Sequence, residues 1–111
     1  MERVDPDWDE SVAWLLDLDR VPAAQATGQL LQAAVHWRGR VVPRTELHDL
    51  VFTLPGAPQP FVRTLHVGWT GHSFEFLLTT GERLVAADHC GQDGALATLE
   101  SLLEQLVADL P

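Results

Sequence analysis

At 111 residues, with 46% hydrophobic content and a formal charge of −9, the chain has material for one modest core and not for two. Mean hydropathy near zero is that of a globular chain rather than a disordered or membrane-embedded one, and no apolar run approaches the ~18 residues a bilayer-spanning helix needs. The acid is segregated: residues 1–20 hold seven acids and two Arg, residues 21–81 three acids and four Arg, and residues 82–111 six acids and one Arg, a field that repels phosphate backbones and anionic lipid and argues against nucleic-acid or membrane partners.

The opening MERVDPDWDE is acidic where a secretory leader would be basic and then apolar. One cysteine cannot form an internal disulfide. The expectation is therefore a cytoplasmic protein, read as a single domain over residues 1–111.

Asp5 and Pro6 predict the start of a helix, with Asp5 as N-cap and Pro6 in the first helical position. Trp8, Val12, Leu15 and Leu16 form its apolar stripe, and the pattern ends near Asp19. Trp14 lies off that stripe and is a candidate for a contact elsewhere. Val21-Pro22 opens a second helix through about Trp37, carrying Leu30, Leu31, Ala34 and Val35 and stopping before Gly39. Gly28 should weaken it by ~1 kcal/mol relative to Ala unless a neighbouring backbone approaches there. Arg38, Arg40 and Arg44 follow as the basic cluster. They serve either as cations at the negative end of a helix dipole or as a binding patch for an anion or an acidic partner.

Residues 45–54, TELHDLVFTL, fit a helical stripe and a strand alternation alike. The Val-Phe-Thr centre favours a strand, about 46–54. PGAPQP, residues 55–60, is a stiff loop.

Residues 61–90 read as three antiparallel strands, about 61–70, 73–80 and 83–90, joined by glycine turns at Gly71-His72 and Gly81-Glu82. Those turns set Trp69 opposite Phe74, Val67 opposite Phe76 and Leu65 opposite Leu78. They continue with Leu78 opposite Val85 and Phe76 opposite Ala87, apolar against apolar throughout. On the other face the same register puts Glu75 opposite Asp88, with Gly68 across from Glu75 and His66 diagonal to it. Like charges directly opposite are unfavourable, so the pair calls for solvent, a cation or a shared proton. Beyond a turn at Gly91-Gln92-Asp93, with Asp93 as N-cap, Leu96, Leu99, Leu102, Leu103, Leu106, Val107 and Leu110 recur at helical spacing. Glu100, Glu104, Gln105 and Asp109 lie on the opposite, solvated face. The fold class is α+β: an antiparallel sheet of three to four strands packed against two N-terminal helices and one C-terminal helix.

For chemistry, His66, Glu75 and Asp88 converge in this register and are the candidate ligands for a divalent cation. Zinc sites of the Cys/His type use closely spaced pairs that a chain with one cysteine lacks. His89 and Cys90 are adjacent on a strand and point to opposite faces, so a Cys-His dyad would need a histidine from elsewhere. Nucleophile-elbow, phosphate-loop and dinucleotide motifs are absent from the sequence, which leaves no catalytic residue to name and no cofactor to expect.

The functional expectation is an acidic, non-enzymatic module that docks a basic protein partner as an adaptor, an inhibitor or an immunity/antitoxin-like protein. Its candidate binding residues are His66, Glu75, Asp88, Arg38, Arg40, Arg44 and Trp14. Two alternatives stand beside it: a metal-dependent or ligand-binding protein using one sheet face, and a structural homo-oligomer, a homodimer for instance, built on the leucine-rich last helix or an edge strand.

Overall fold

The structure, a computed structural model, describes residues 5–108. In chain order these form α1 (Trp8–Leu16), α2 (Pro22–Ala33), a 3₁₀ turn (Val35–Trp37), β1 (Val42–Glu46), β2 (Asp49–Thr53), β3 (Arg63–Trp69), β4 (Phe74–Thr80), β5 (Arg83–Cys90) and α3 (Gln92–Ala108). The expected positions of Asp109 and Leu110 on the last helix lie outside the described residues.

The cap of α1 is Asp7, which accepts from the Glu10 N–H at 3.0 Å, and not Asp5. The Asp5 carboxylate is engaged elsewhere, by Arg44 and by the Gly56 N–H. The helix also stops short of Asp19, at Leu16. Gln25 secures the stop: its side-chain amide donates to the carbonyl of Leu16, at the helix end, and to that of Leu18 in the turn beyond, which also accepts from the Val21 N–H. Pro22 opens α2 as expected, but the α-helix ends at Ala33 and a 3₁₀ turn carries the chain to Trp37. That tighter winding brings Trp37 into the core and turns Val35 out. Gly28 is the point of contact between the two helices: a Cβ there would lie 3.0 Å from Leu15 Cβ and 2.8 Å from Leu16 Cδ2. The close neighbours are side-chain atoms of α1 rather than the backbone expected from the sequence.

The sheet has five strands in the order β1-β2-β3-β4-β5, all antiparallel, rather than three to four. The added strand is β1. The segment expected as one strand over 46–54 begins at Asp49, because Leu47 and His48 form a two-residue turn that pairs Glu46 with Asp49. The β3–β4 hairpin has the expected register, with Trp69 opposite Phe74, Val67 opposite Phe76 and Leu65 opposite Leu78. Gly71 at φ +104° and Gly81 at φ +63° take the backbone conformation that a side chain disfavours.

The β4–β5 hairpin departs from expectation after its first two pairs. Thr80 faces Arg83 and Thr79 faces Leu84, but a bulge then inserts one residue into β5. Beyond it Leu78 faces Ala86, Phe76 faces Asp88 and Glu75 faces His89. The expected partnerships of Leu78 with Val85, Phe76 with Ala87 and Glu75 with Asp88 are corrected accordingly. A one-residue slip moves every later side chain to the other face, so Asp88 leaves the face that carries Glu75.

All three helices pack on one face of the sheet: α1 reaches β1, α2 covers β2 and β3, and α3 crosses β3, β4 and β5. Beneath them Leu50, Phe52, Leu65, Phe74, Phe76 and Leu78 meet Leu15, Leu31, Leu99, Leu103 and Leu106 in one buried cluster. Each such side chain contributes about 1.5–3 kcal/mol on burial. Trp8 is pinned within the cluster by its Nε1–H, which donates to the Leu31 carbonyl at 3.0 Å. Helix α3 begins at Gln92, so Asp93 sits in its first turn rather than at the cap. There a carboxylate still favours the helix dipole. Among the described residues no helix is long and apolar enough to cross a membrane.

Candidate interaction surface

With the helices on one side, the other face of the sheet is open over much of its area. Period-two alternation places Glu46 of β1, Asp49 and Val51 of β2, His66 and Gly68 of β3, Glu75 and Leu77 of β4, and Leu84, Ala87 and His89 of β5 on that face. Its lower end is closed by the 54–62 loop. There Phe61 lies beneath the Arg44 guanidinium at 4.4 Å, and the Val62 carbonyl accepts from the Gly81 N–H. The upper end is exposed.

Two local features give this end its shape. His66 Nε2 and Asp49 Oδ2 are 2.9 Å apart, a hydrogen bond between neighbouring strands. Gly68 makes room for that carboxylate, since a Cβ there would lie 3.2 Å from Asp49 Oδ1. At the tip of the β1–β2 hairpin, Leu47 is 82% exposed and holds φ at +57°. A side chain in that conformation costs about 1–2 kcal/mol, and at this exposure Leu47 recovers little of it inside the molecule. Leu77 adds exposed apolar surface at 39%, and Leu84, 55% exposed, lies farther down the face opposite Thr79, toward the closed end.

The residues named from the sequence are distributed as follows. His66 and Glu75 share the open face, but His66 bonds to Asp49, and Asp88 projects to the helix side beside α3. Among the described residues no group of three or more His, Cys, Asp or Glu side chains is placed to hold a metal ion. The basic cluster is occupied from within: Arg38 pairs with Asp9, Arg40 stacks on Trp37 at 4.1 Å, and Arg44 bonds to Asp5 at 3.2 Å and to Thr53 Oγ1 at 3.1 Å. Arg44 thereby ties Asp5 to the sheet, and Arg38 ties Asp9 to the segment between the 3₁₀ turn and β1. Trp14 stands half-exposed on α1, in the helical layer away from the open face. Cys90 is a free thiol packed at the edge of the core.

Sequence reasoning missed Asp49 and Leu47. Asp49 emerges only once β2 pairs with β3, a register that no turn motif between them announces. Leu47 had a negative signal: a leucine takes the place where turn chemistry favours Gly, Asn or Asp. A further pairing, His36 with Glu100, joins the 3₁₀ turn to α3, and Trp37 Nε1–H donates to the same carboxylate at 3.3 Å. No protein-family model, curated protein or solved structure matches this chain.

Proposed function

We propose that the chain is a small acidic, non-enzymatic protein-binding module that docks a basic protein partner through the upper half of its open sheet face and the Leu47 hairpin tip. The observation that carries the reading is Leu47, an exposed leucine held in a conformation that costs stability. Around it the charged groups of the face are Glu46, Asp49 and Glu75. Arg44, the cation on that side, is already paired with Asp5. Apolar contacts rimmed by carboxylates suit a partner that brings an apolar anchor ringed by Lys or Arg. An adaptor, an inhibitor and an immunity-like protein would all use such a surface. The proposal places the module in the cytoplasm, where the free Cys90 needs no partner.

The test begins with affinity capture from the native host and a titration of the captured protein against Leu47→Asn. Asn tolerates positive φ, so the variant should melt a few degrees higher while its affinity falls roughly tenfold or more, the value of one buried leucine. Glu75→Lys should weaken the same complex and flatten its salt dependence. A partner bound equally well by both variants would sink the reading.

A further inference from the structure

The two edges of the sheet are unlike. β1 is five residues long, carries Pro43 and lies against α1. Such an edge resists pairing with another strand. β5 is eight residues long, contains no proline, and exposes Leu84 and Val85 at its free edge. An apolar edge of that length is a template for another strand.

We infer that β5 pairs antiparallel with β5 of a second copy about a two-fold axis passing between Val85 and Ala86, joining two five-stranded sheets into one. The bulge permits this register and disfavours the two adjacent to it. In an antiparallel pair, residues directly opposite share a face. On β5, Arg83, Ala86 and Asp88 belong to the helix face, where they oppose Thr80, Leu78 and Phe76, and Leu84 and Ala87 belong to the open face. Val85, the inserted residue, lines a groove with Leu78 and Gln105 on the helix side. With the axis between Val85 and Ala86, Arg83 meets Asp88, Leu84 meets Ala87 and Val85 meets Ala86 of the other copy, each pair on one face. Moving the axis by half a residue either way sets open-face residues against helix-face residues along the strand. A bulge ordinarily bends an edge away from foreign strands, but two identical bulges related by the axis bend together.

Charge points to the same partner. Arg83 is exposed and has no ion pair among the described residues, and it is the one cation in residues 82–111. The register sets it opposite Asp88 twice over, and sets Glu82 opposite His89. Two strands alone are small against the roughly 1,200 Å² of a stable interface. Between β5 and α3, however, runs a groove of about 370 Å³ lined by Ala86, Asp88, Ala97, Thr98 and Ser101. Leu102 and Gln105 line it as well, and the short side chains of Ala97, Thr98 and Ser101 leave room for α3 and its copy to approach over the joined strands. The inference is independent of the proposed docking function, because the open face remains free and becomes continuous across the axis.

The experiment is sedimentation equilibrium of the full chain and of exchange variants over a wide concentration range, with circular dichroism confirming the fold. Wild type should dimerise. Arg83→Asp and Asp88→Arg should each weaken the dimer roughly tenfold or more, because like charges then face each other at two places. An equimolar mixture of the two variants should form a dimer again, and so should the double variant R83D/D88R. Wild type that stays monomeric throughout, or exchange variants that fail to restore association, would overturn the inference.

Discussion

Gly28→Ala tests how tightly the helical layer is built. In an exposed helix this change would stabilise by about 0.8–1.0 kcal/mol through propensity. Here the new methyl would meet Leu16 Cδ2 at 2.8 Å and Leu15 Cβ at 3.0 Å. The first contact is with the far end of a half-buried side chain, which can rotate away. The second is with an atom fixed to the α1 backbone at a residue with no exposed surface, so relief requires α1 itself to move by a few tenths of an ångström. Overpacking of this kind costs typically 1–3 kcal/mol, and after subtraction of the propensity gain the variant should lose about 1 kcal/mol. For a domain of this size that corresponds to roughly 4–8 °C in Tm. Urea unfolding followed by tryptophan fluorescence should show a lower midpoint with an unchanged slope. A double-mutant cycle with Leu16→Ala then assigns the obstruction: coupling should be small if Leu15 carries it. A Gly28→Ala midpoint at or above wild type would refute close packing of α1 on α2.

Two further substitutions probe buried hydrogen bonds. Thr27, fully buried on α2, has its hydroxyl 2.8 Å from the His48 carbonyl of the β1–β2 turn and 2.9 Å from the Ala23 carbonyl of its own helix, two acceptors that share one proton. Thr27→Val keeps the shape and should cost about 1–2 kcal/mol in urea unfolding, and an unchanged midpoint would show that the turn is held by other means. Trp8→Phe removes the bond to the Leu31 carbonyl and opens space beside Phe52, whose ring centroid is 6.1 Å away. The expected loss is about 2–3 kcal/mol by thermal melt, and a loss well under ~1 kcal/mol would mean that α1 is not anchored through this side chain.

How far the sequence discloses this fold depends on how many constraints coincide at each segment. In the β3–β4 hairpin they coincide: Gly71 marks the turn, alternation marks the faces, and any slip would set apolar residues against solvent. In β5 they do not. Leu84, Val85, Ala86 and Ala87 are consecutive and apolar, so inserting one residue among them keeps Leu78 against an apolar partner, Ala86, although Phe76 exchanges Ala87 for Asp88. The insertion also removes an unfavourable pair, since Glu75 comes to face His89 instead of Asp88. The carboxylate opposition in the regular register was therefore a sign of a wrong register as much as of a site. β1 was illegible for a different reason. VPRTE carries a proline and two charged residues and lacks alternation, and it becomes a strand because Pro43 occupies an edge where one N–H can be spared.

Charge follows the same logic. Along the chain the N-terminal acids and the central arginines look like separate features, one suggesting a partner and the other a patch. In three dimensions Asp9 meets Arg38 and Asp5 meets Arg44, so each accounts for part of the other. Net charge is thus a poor guide to where this molecule would engage a partner. The better guide is what internal pairing leaves over among the described residues: Glu46 and Glu75 on a face that none of the described helices covers, a leucine strained at its rim, and Arg83, without an ion pair, on the edge strand β5. Of these, the leucine held at positive φ is the one that costs stability in the isolated chain, whereas the exposed charges are solvated and favour solubility.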